Sequence, residues 1–405
     1  MSVTIVTGTR STTDLSTYRL KVDISKGIGL LDPNENPFTL MLTQFGTVAA
    51  TQPKHSWLED VLQPEYDQIG AGTATTSVAT TIYVLNPSYF AVGDIIQNCR
   101  TYEIMYVSAL STVTQLLTIT RNYPGVASGH TGYNAAFVAS DWVRIVGNVN
   151  EEGATSPTAK STKETQLDNY TQILRTPFDL TETELNSLME GEQDLPYTTK
   201  KKGIEHARQK ENIAIWGIPS TSNTGSNSKP VRTAGGLWYF LKENAPSANI
   251  VQQAELTESE FLDFIRAGFR YGSRNKVLFA APLILSAIEK WGLAKLNTYS
   301  SDKTYGINVT KWTSPHGEIA LVNHKMLEGP DPSAAASIGG GAWAFLLDMP
   351  KIKYVPLKGR DTKLLTGRQA NDADKQLAEY LTEFTMEIRQ PSCHAVLYGV
   401  TSFAA

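Results

Sequence analysis

Cysteine is nearly absent: Cys99 and Cys393 are the two in 405 residues. So few thiols exclude a disulfide framework, and their separation excludes a close zinc or redox pair. A reducing, cytoplasmic place of synthesis is expected. Long apolar runs are also missing, since no stretch reaches the roughly 18 residues that a spanning helix needs, so no membrane-crossing helix is expected. The opening MSVTIVTGTRSTTD shows no charged start, apolar centre or cleavage site, so no secretory leader is expected there. Charge of one sign is lacking too. Thirty-six Lys and Arg stand against 40 Asp and Glu, a net charge of -4 that gives no global footprint for nucleic acid or an anionic membrane.

Recognisable chemistry is equally scarce. Of the six histidines, only His316 and His324 fall within ten residues of each other, and no carboxylates complete a metal set around them. No GxSxG elbow occurs, and neither cysteine sits in a nucleophile context. The glycine run SIGGGAW (337–343) lacks the Lys and Ser/Thr of a phosphate loop, so it reads as a turn. Lys200 to Lys202 form the densest basic run, diluted by Glu205 and Glu211, and suit a solvated helix face better than a nucleic-acid patch. Paired carboxylates such as Glu151 and Glu152, or Glu379 and Glu383, have no acid/base context. No catalytic, cofactor-binding or metal residue is therefore assigned, and the chain is not expected to be an enzyme.

What is present is an ordinary globular composition, 41% hydrophobic and 19% charged, long enough for two or three domains. Residues 1 to about 55 read as an extended arm, with Pro33 and Pro37 breaking any helix before a short one starts near Phe38. A loop on its own domain and an arm on a neighbour are both open for this stretch. From about Gly70 to Gly153 the texture turns to Thr, Val, Ile and Tyr, with strands expected at TTIYVL, EIMYVSAL, QLLTIT and WVRIVG and a tight turn in AVGDII. Leu117 and Ile119 alternate with Thr118 and Thr120, which makes one face buried and predicts a small barrel or sandwich.

A long charged helix follows over QDLPYTTKKKGIEHARQKENIAIWG, with Pro196 in its first turn and Gly217 at its end. Its apolar strip, Tyr197, Ile204, Ala207, Ala214 and Ile215, is wide enough only to rest on a sheet, leaving Lys200, Lys201, Arg208 and Lys210 to neighbours or solvent. STSNTGSNSKP then reads as a mobile loop. In TESEFLDFIRAGFRYG, Thr257 and Glu260 predict a capping box, Phe261, Phe264, Ile265 and Phe269 one apolar face, and Gly272 the end of the helix. Strands and a second helix alternate after it, an α+β pattern. KIKYVPL and LAEYLTEFTMEIRQPSCHAVLYGV read as two long strands paired in an elongated hairpin.

The order of these features, DPNENPF in an arm, HSWLEDVLQP, a β insertion, EEGA, a charged helix ending IAIWG, and EFTMEIRQPSCHAVLYGV, resembles the major capsid proteins of tailed bacteriophages. The similarity spans the chain and is nearest to the branch with a β subdomain in the extended loop. Residues carrying it are Pro33, Asn36, Pro37 and Phe38, then Trp57 and Asp60, then Ile215, Trp216 and Gly217, then Glu383, Glu387, Pro391 and His394. Asn36 stands where the family has Thr, and Met386 where it has Leu.

The resemblance implies a Hong Kong 97-type fold: an arm (1–55), an extended loop (56–178) holding a β subdomain (70–153), a peripheral domain (179–230 and 348–405) and an axial domain (231–347). It implies a shell subunit of a virion capsid, assembled with itself in pentamers and hexamers around double-stranded DNA. Scaffolding, portal and decoration proteins are implied partners, the last on the β subdomain. Assembly contacts are expected at Pro33, Asn36, Pro37, Phe38, Trp57, Asp60, Lys200, Lys201, Lys202, Arg208, Glu383 and Glu387. A tail-tube subunit is the alternative, disfavoured by the long charged helix. No cofactor and no covalent crosslink is expected.

Overall fold

Alternation decides the structure of the β-rich region. Leu117, Ile119 and Val143 are buried while Thr118, Thr120, Trp142 and Arg144 are exposed, as a sheet with one inner face requires. The computed structural model describes residues 36–72, 76–123, 125, 134–156, 158–187, 194–292, 310–328 and 341–404. Its chain forms two units: residues 58–166, and the described residues up to Trp57 together with Leu167 onward.

In the 58–166 unit six antiparallel strands run in the spatial order Tyr66–Gln68, Trp142–Asn148, Asp94–Asn98, Ile104–Ser111, Leu116–Arg121, Thr81–Tyr83. The two outermost strands then meet. Gly70 N–H donates to the Tyr83 carbonyl at 2.8 Å, Leu85 N–H donates to that of Gln68 at 3.1 Å, and Ile69 bridges Val84. The sheet therefore closes into a barrel, which leaves no open edge for other strands. Ile82, Ile96, Met105, Val107, Leu117 and Val143 fill its interior. Of the strands, Tyr66–Gln68 and Asp94–Asn98 were not legible in the sequence. The expected turn is present at Gly93, whose φ of +96° suits glycine, and the strand starts directly after it. Most of the long loop after Tyr123 lies outside the described residues.

The other unit is built on two larger sheets and several two-stranded ones. A six-stranded mixed sheet has the order Ile250–Gln252, Ala395–Val400, Ala342–Leu347, Asn275–Ala280, Gly317–Asn323, Thr310–Ser314. Helices Leu237–Asn244, Glu258–Gly268 and Pro282–Gly292 contribute to its core. The capping box forms: Thr257 Oγ1 accepts from Glu260 N–H and Glu260 Oε2 from Thr257 N–H. Phe261, Phe264 and Ile265 are buried beneath that helix, each contributing about 1.5–3 kcal/mol of apolar burial. The helix ends at Gly268, four residues short of Gly272. A Cβ on Gly268 would lie 2.5 Å from Leu346, so glycine is needed there for close packing, and Gly272 makes the following turn at φ +88°.

The second sheet is built on one 14-residue strand, Lys375–Ile388. Gln172–Thr181 pairs along one edge of it, while Ile352–Pro356 and Lys363–Leu365 pair antiparallel elsewhere along it. The expected terminal hairpin is thus present. Its second run is two strands rather than one, because Gln390 takes φ +48° and Pro391 has no N–H for a ladder; beyond them Ala395–Val400 joins the six-stranded sheet. STSNTGSNSKP is not a loop but a hairpin, Ser220–Thr224 with Pro230–Thr233, closed by Gly225 N–H to Lys229 carbonyl at 2.8 Å. Its Ser and Thr suit exposed strands, a preference that its low complexity hid.

The described part of the arm lies on its own unit. Pro37–Phe45 is helical, and Gly46 to Ala50 runs parallel to Ile352–Pro356, with Val48 and Ala50 donating to Tyr354 and Pro356. Strands Lys54–Glu59 and Thr165–Tyr170 pair where the chain leaves for the barrel and returns. The long helix spans Asp194–Trp216, with Pro196 in its first turn and Gly217 just past its end.

Candidate assembly surfaces

The long helix rests on the second sheet through polar groups. Gly203 lets Tyr380 approach, where a Cβ would stand 3.1 Å from its hydroxyl, and that hydroxyl donates to the Thr199 carbonyl at 3.2 Å. One turn on, His206 is buried with its ring nitrogens 2.9 Å from the Thr176 hydroxyl and 2.7 Å from that of Thr382. Burial, helped by the charge of Lys210, pushes its pKa down to about 4, so the ring is neutral. Lys210 is itself lowered by burial and lies 5.2 Å over the Tyr354 ring. It is half-buried against its own chain, where the sequence suggested neighbours or solvent. Ala214 and Ile215 are buried as expected, but Tyr197, Ile204 and Ala207 are only half-buried. The apolar strip is thus confined to the helix's last turn.

Glu211 completes this seam. Fully buried, its carboxylate accepts from Phe38 N–H at 2.8 Å and Thr39 N–H at 2.7 Å, the open first turn of the arm helix, and meets His324 Nε2 at 2.8 Å. A carboxylate at a helix N-terminus satisfies orphan donors and opposes the positive end of the dipole. In the sequence Glu211 stands out only as an acid diluting the lysine run.

Strand Lys375–Ile388 carries a second set. Glu379, Glu383 and Glu387 are four apart, so they share one face, and all three are buried. Arg175 and Arg368 hold Glu379; Arg360 at 2.6 Å and the Thr171 hydroxyl at 2.9 Å hold Glu383; His55 at 2.9 Å and Arg389 hold Glu387. Burial raises the pKa of Glu379 and Glu387, but hydrogen bonds from these partners and the charges of the arginines outweigh it and leave both below the ordinary carboxylate range. The side chains of these four arginines stay about half exposed. Asn169, which no sequence signal marked, joins strands and loop by donating to the Gly235 and Met386 carbonyls and accepting from Gly235 N–H.

The expected contact residues therefore separate into two groups. Phe38, stacked edge-on against Phe279, and Trp57, against Phe240, lie with Glu383 and Glu387 inside their own chain. Enclosed in this way, these four side chains present little surface of their own. Asn36 and Pro37 begin the arm helix, half-buried. Lys200, Lys201, Arg208 and Asp60 are exposed, and Lys202 pairs with Glu205 at 2.7 Å. Pro33 lies outside the described residues. Among the described residues no group of three or more His, Cys, Asp or Glu could hold a metal ion.

The family model of the SU10 major capsid protein matches residues 5–401. The chain belongs to that family. Pseudomonas phage PaMx41 has a major capsid protein that is 21% identical over 389 residues, covering 90% of this chain and 88% of its own. Among solved structures, the capsid of a native GTA particle is similar over 96% of this chain and 97% of its own, at 11% identity and TM-score 0.48. Microbacterium phage Oxtober96 is similar over 97% and 99%, at 11% identity and TM-score 0.45. As an SU10-type major capsid protein the chain is a subunit of a virion shell, and its helices and sheets make it an α+β protein.

Proposed function

We propose that this capsid protein builds the icosahedral head shell around the double-stranded DNA of a tailed bacteriophage, associating with itself in pentamers and hexamers. The observation that carries this reading is the family match over nearly the whole chain. Shell building needs large surfaces repeated by symmetry rather than a reactive centre, and we assign the chain no catalytic role. We keep the domain map of arm, extended loop, peripheral and axial domains, with the barrel as the loop's insertion. Scaffolding, portal and decoration proteins are proposed partners. A net charge of -4 over the chain supports containment of DNA without tight adsorption.

Among contact residues the reading favours Lys200, Lys201 and Arg208, because they are exposed on a helix whose other side is occupied. Reversing Lys200 to Lys202 to glutamate should leave a folded protein by circular dichroism and reduce shells counted by electron microscopy. Expression of the unaltered chain should give closed shells or rings of five and six. A stable monomer at every concentration would refute the function.

A further inference from the structure

One outer face of the barrel gathers the residue types that dominate protein interfaces. Tyr66 pairs across strands with Arg144, Gln68 with Trp142, and Arg144 with Gln97, so these side chains face outward while Asp67, Ile96 and Val143 face inward. Trp142 is 50% exposed and Tyr66 42%. At the neighbouring hairpin tip Tyr102 is 59% exposed and held at φ +60°, a conformation bulky residues rarely adopt; Gln97 Nε2 donates to its carbonyl at 3.3 Å. The Arg144 guanidinium is bonded to the Gln97 side-chain oxygen and the Tyr66 hydroxyl. The Glu65 carboxylate also acts on Arg144 through its charge, and a guanidinium has more donors than Gln97 and Tyr66 occupy. The face is a preorganised cation among aromatic rings, suited to a carboxylate with apolar neighbours.

The same unit presents such a segment. Val61 is 74% and Leu62 90% exposed, directly after Asp60, which is also exposed and whose carboxylate accepts from the adjacent Val61 N–H. With Leu58, 65% exposed, they place three exposed aliphatic side chains within five residues beside an acid.

We propose that the two surfaces are halves of one contact between copies of this chain. The segment 60–62 of one copy seats on the aromatic face of the next, Asp60 on Arg144 and the aliphatic pair on Trp142 and Tyr102. Opposite charge fixes the register, and exclusion of water from the aliphatic and aromatic groups supplies attraction. Because the halves differ, the contact is head-to-tail and closes into rings where rotation permits. This contact rests on the shell reading and adds the barrel to the surfaces that hold the shell.

A charge swap in the full-length protein tests it. Asp60→Arg and Arg144→Glu should each raise the critical concentration for assembly, followed by light scattering, by about fivefold or more. The double variant should return to within about twofold of the original, because the pair is restored in reverse. Should either reversal lower the melting temperature, Asp60→Asn and Arg144→Gln report the same contact with a smaller shift. Single variants that assemble at the original concentration would overturn the proposal and leave the face to a different partner. So would a double variant as defective as its two parents combined. Loss of the contact with shells still forming would leave the shell reading standing, whereas an unaltered chain that never assembles would remove both.

Discussion

A few buried ionisable residues hold the long helix, and their protonation states set how stability responds to pH. Glu211→Ala would leave two arm N–H groups and His324 without their acceptor, at a cost of about 1–3 kcal/mol for each group left buried and unsatisfied. Urea unfolding should show it, and a loss below about 1 kcal/mol would mean the carboxylate is not what holds the arm helix. His206 and His394 are both lowered from 6.5 to about 4, chiefly by burial. The unfolded chain then binds protons that the folded one refuses. Their stabilisation is complete above pH 6.5 and is lost as pH falls from 6.5 towards 4. Glu379 and Glu387, lowered from 4.5, lose theirs only at lower pH. Stability measured from pH 7 to 4 should therefore decline, with a shallower decline in His206→Gln. An unchanged slope would show that His206 is not part of the effect.

At the scale of elements, patterns confined to one segment were legible and those needing a distant partner were not. Thr257 and Glu260 lie three apart, so their capping box is written locally; the barrel's alternation at Leu117 to Thr120 is local too. Glu211 and His324 are 113 residues apart, and Arg175 and Glu379 are 204 apart, so nothing near either residue announces the pair. The long helix shows the consequence. Its low apolar content suggested a thin greasy strip, whereas the fold seats it on threonines, a tyrosine and a neutral histidine. Ile215→Asp should accordingly prevent folding, while Ile204→Asp, at a half-buried position, should leave folded protein with a lowered melting temperature. Equal loss of soluble protein in both would restore the apolar-strip account.

For the whole molecule, each unit has a hydrophobic core of its own, which makes separable unfolding the physical expectation. The barrel core is a closed set around Ile96, Met105 and Leu117, and none of its buried members belongs to the core of the other unit. Leu117 is fully enclosed, so Leu117→Ala removes apolar contacts and leaves a cavity, at about 2–5 kcal/mol. Phe264, buried in the other core, provides the complementary substitution, with Phe264→Ala costing about 3–5 kcal/mol. Calorimetry of the unassembled protein should show two transitions, Leu117→Ala lowering one and Phe264→Ala the other. A single transition shifted by both would mean that the units unfold together, and a shell subunit could then not rearrange its barrel without loosening the body that carries the long helix.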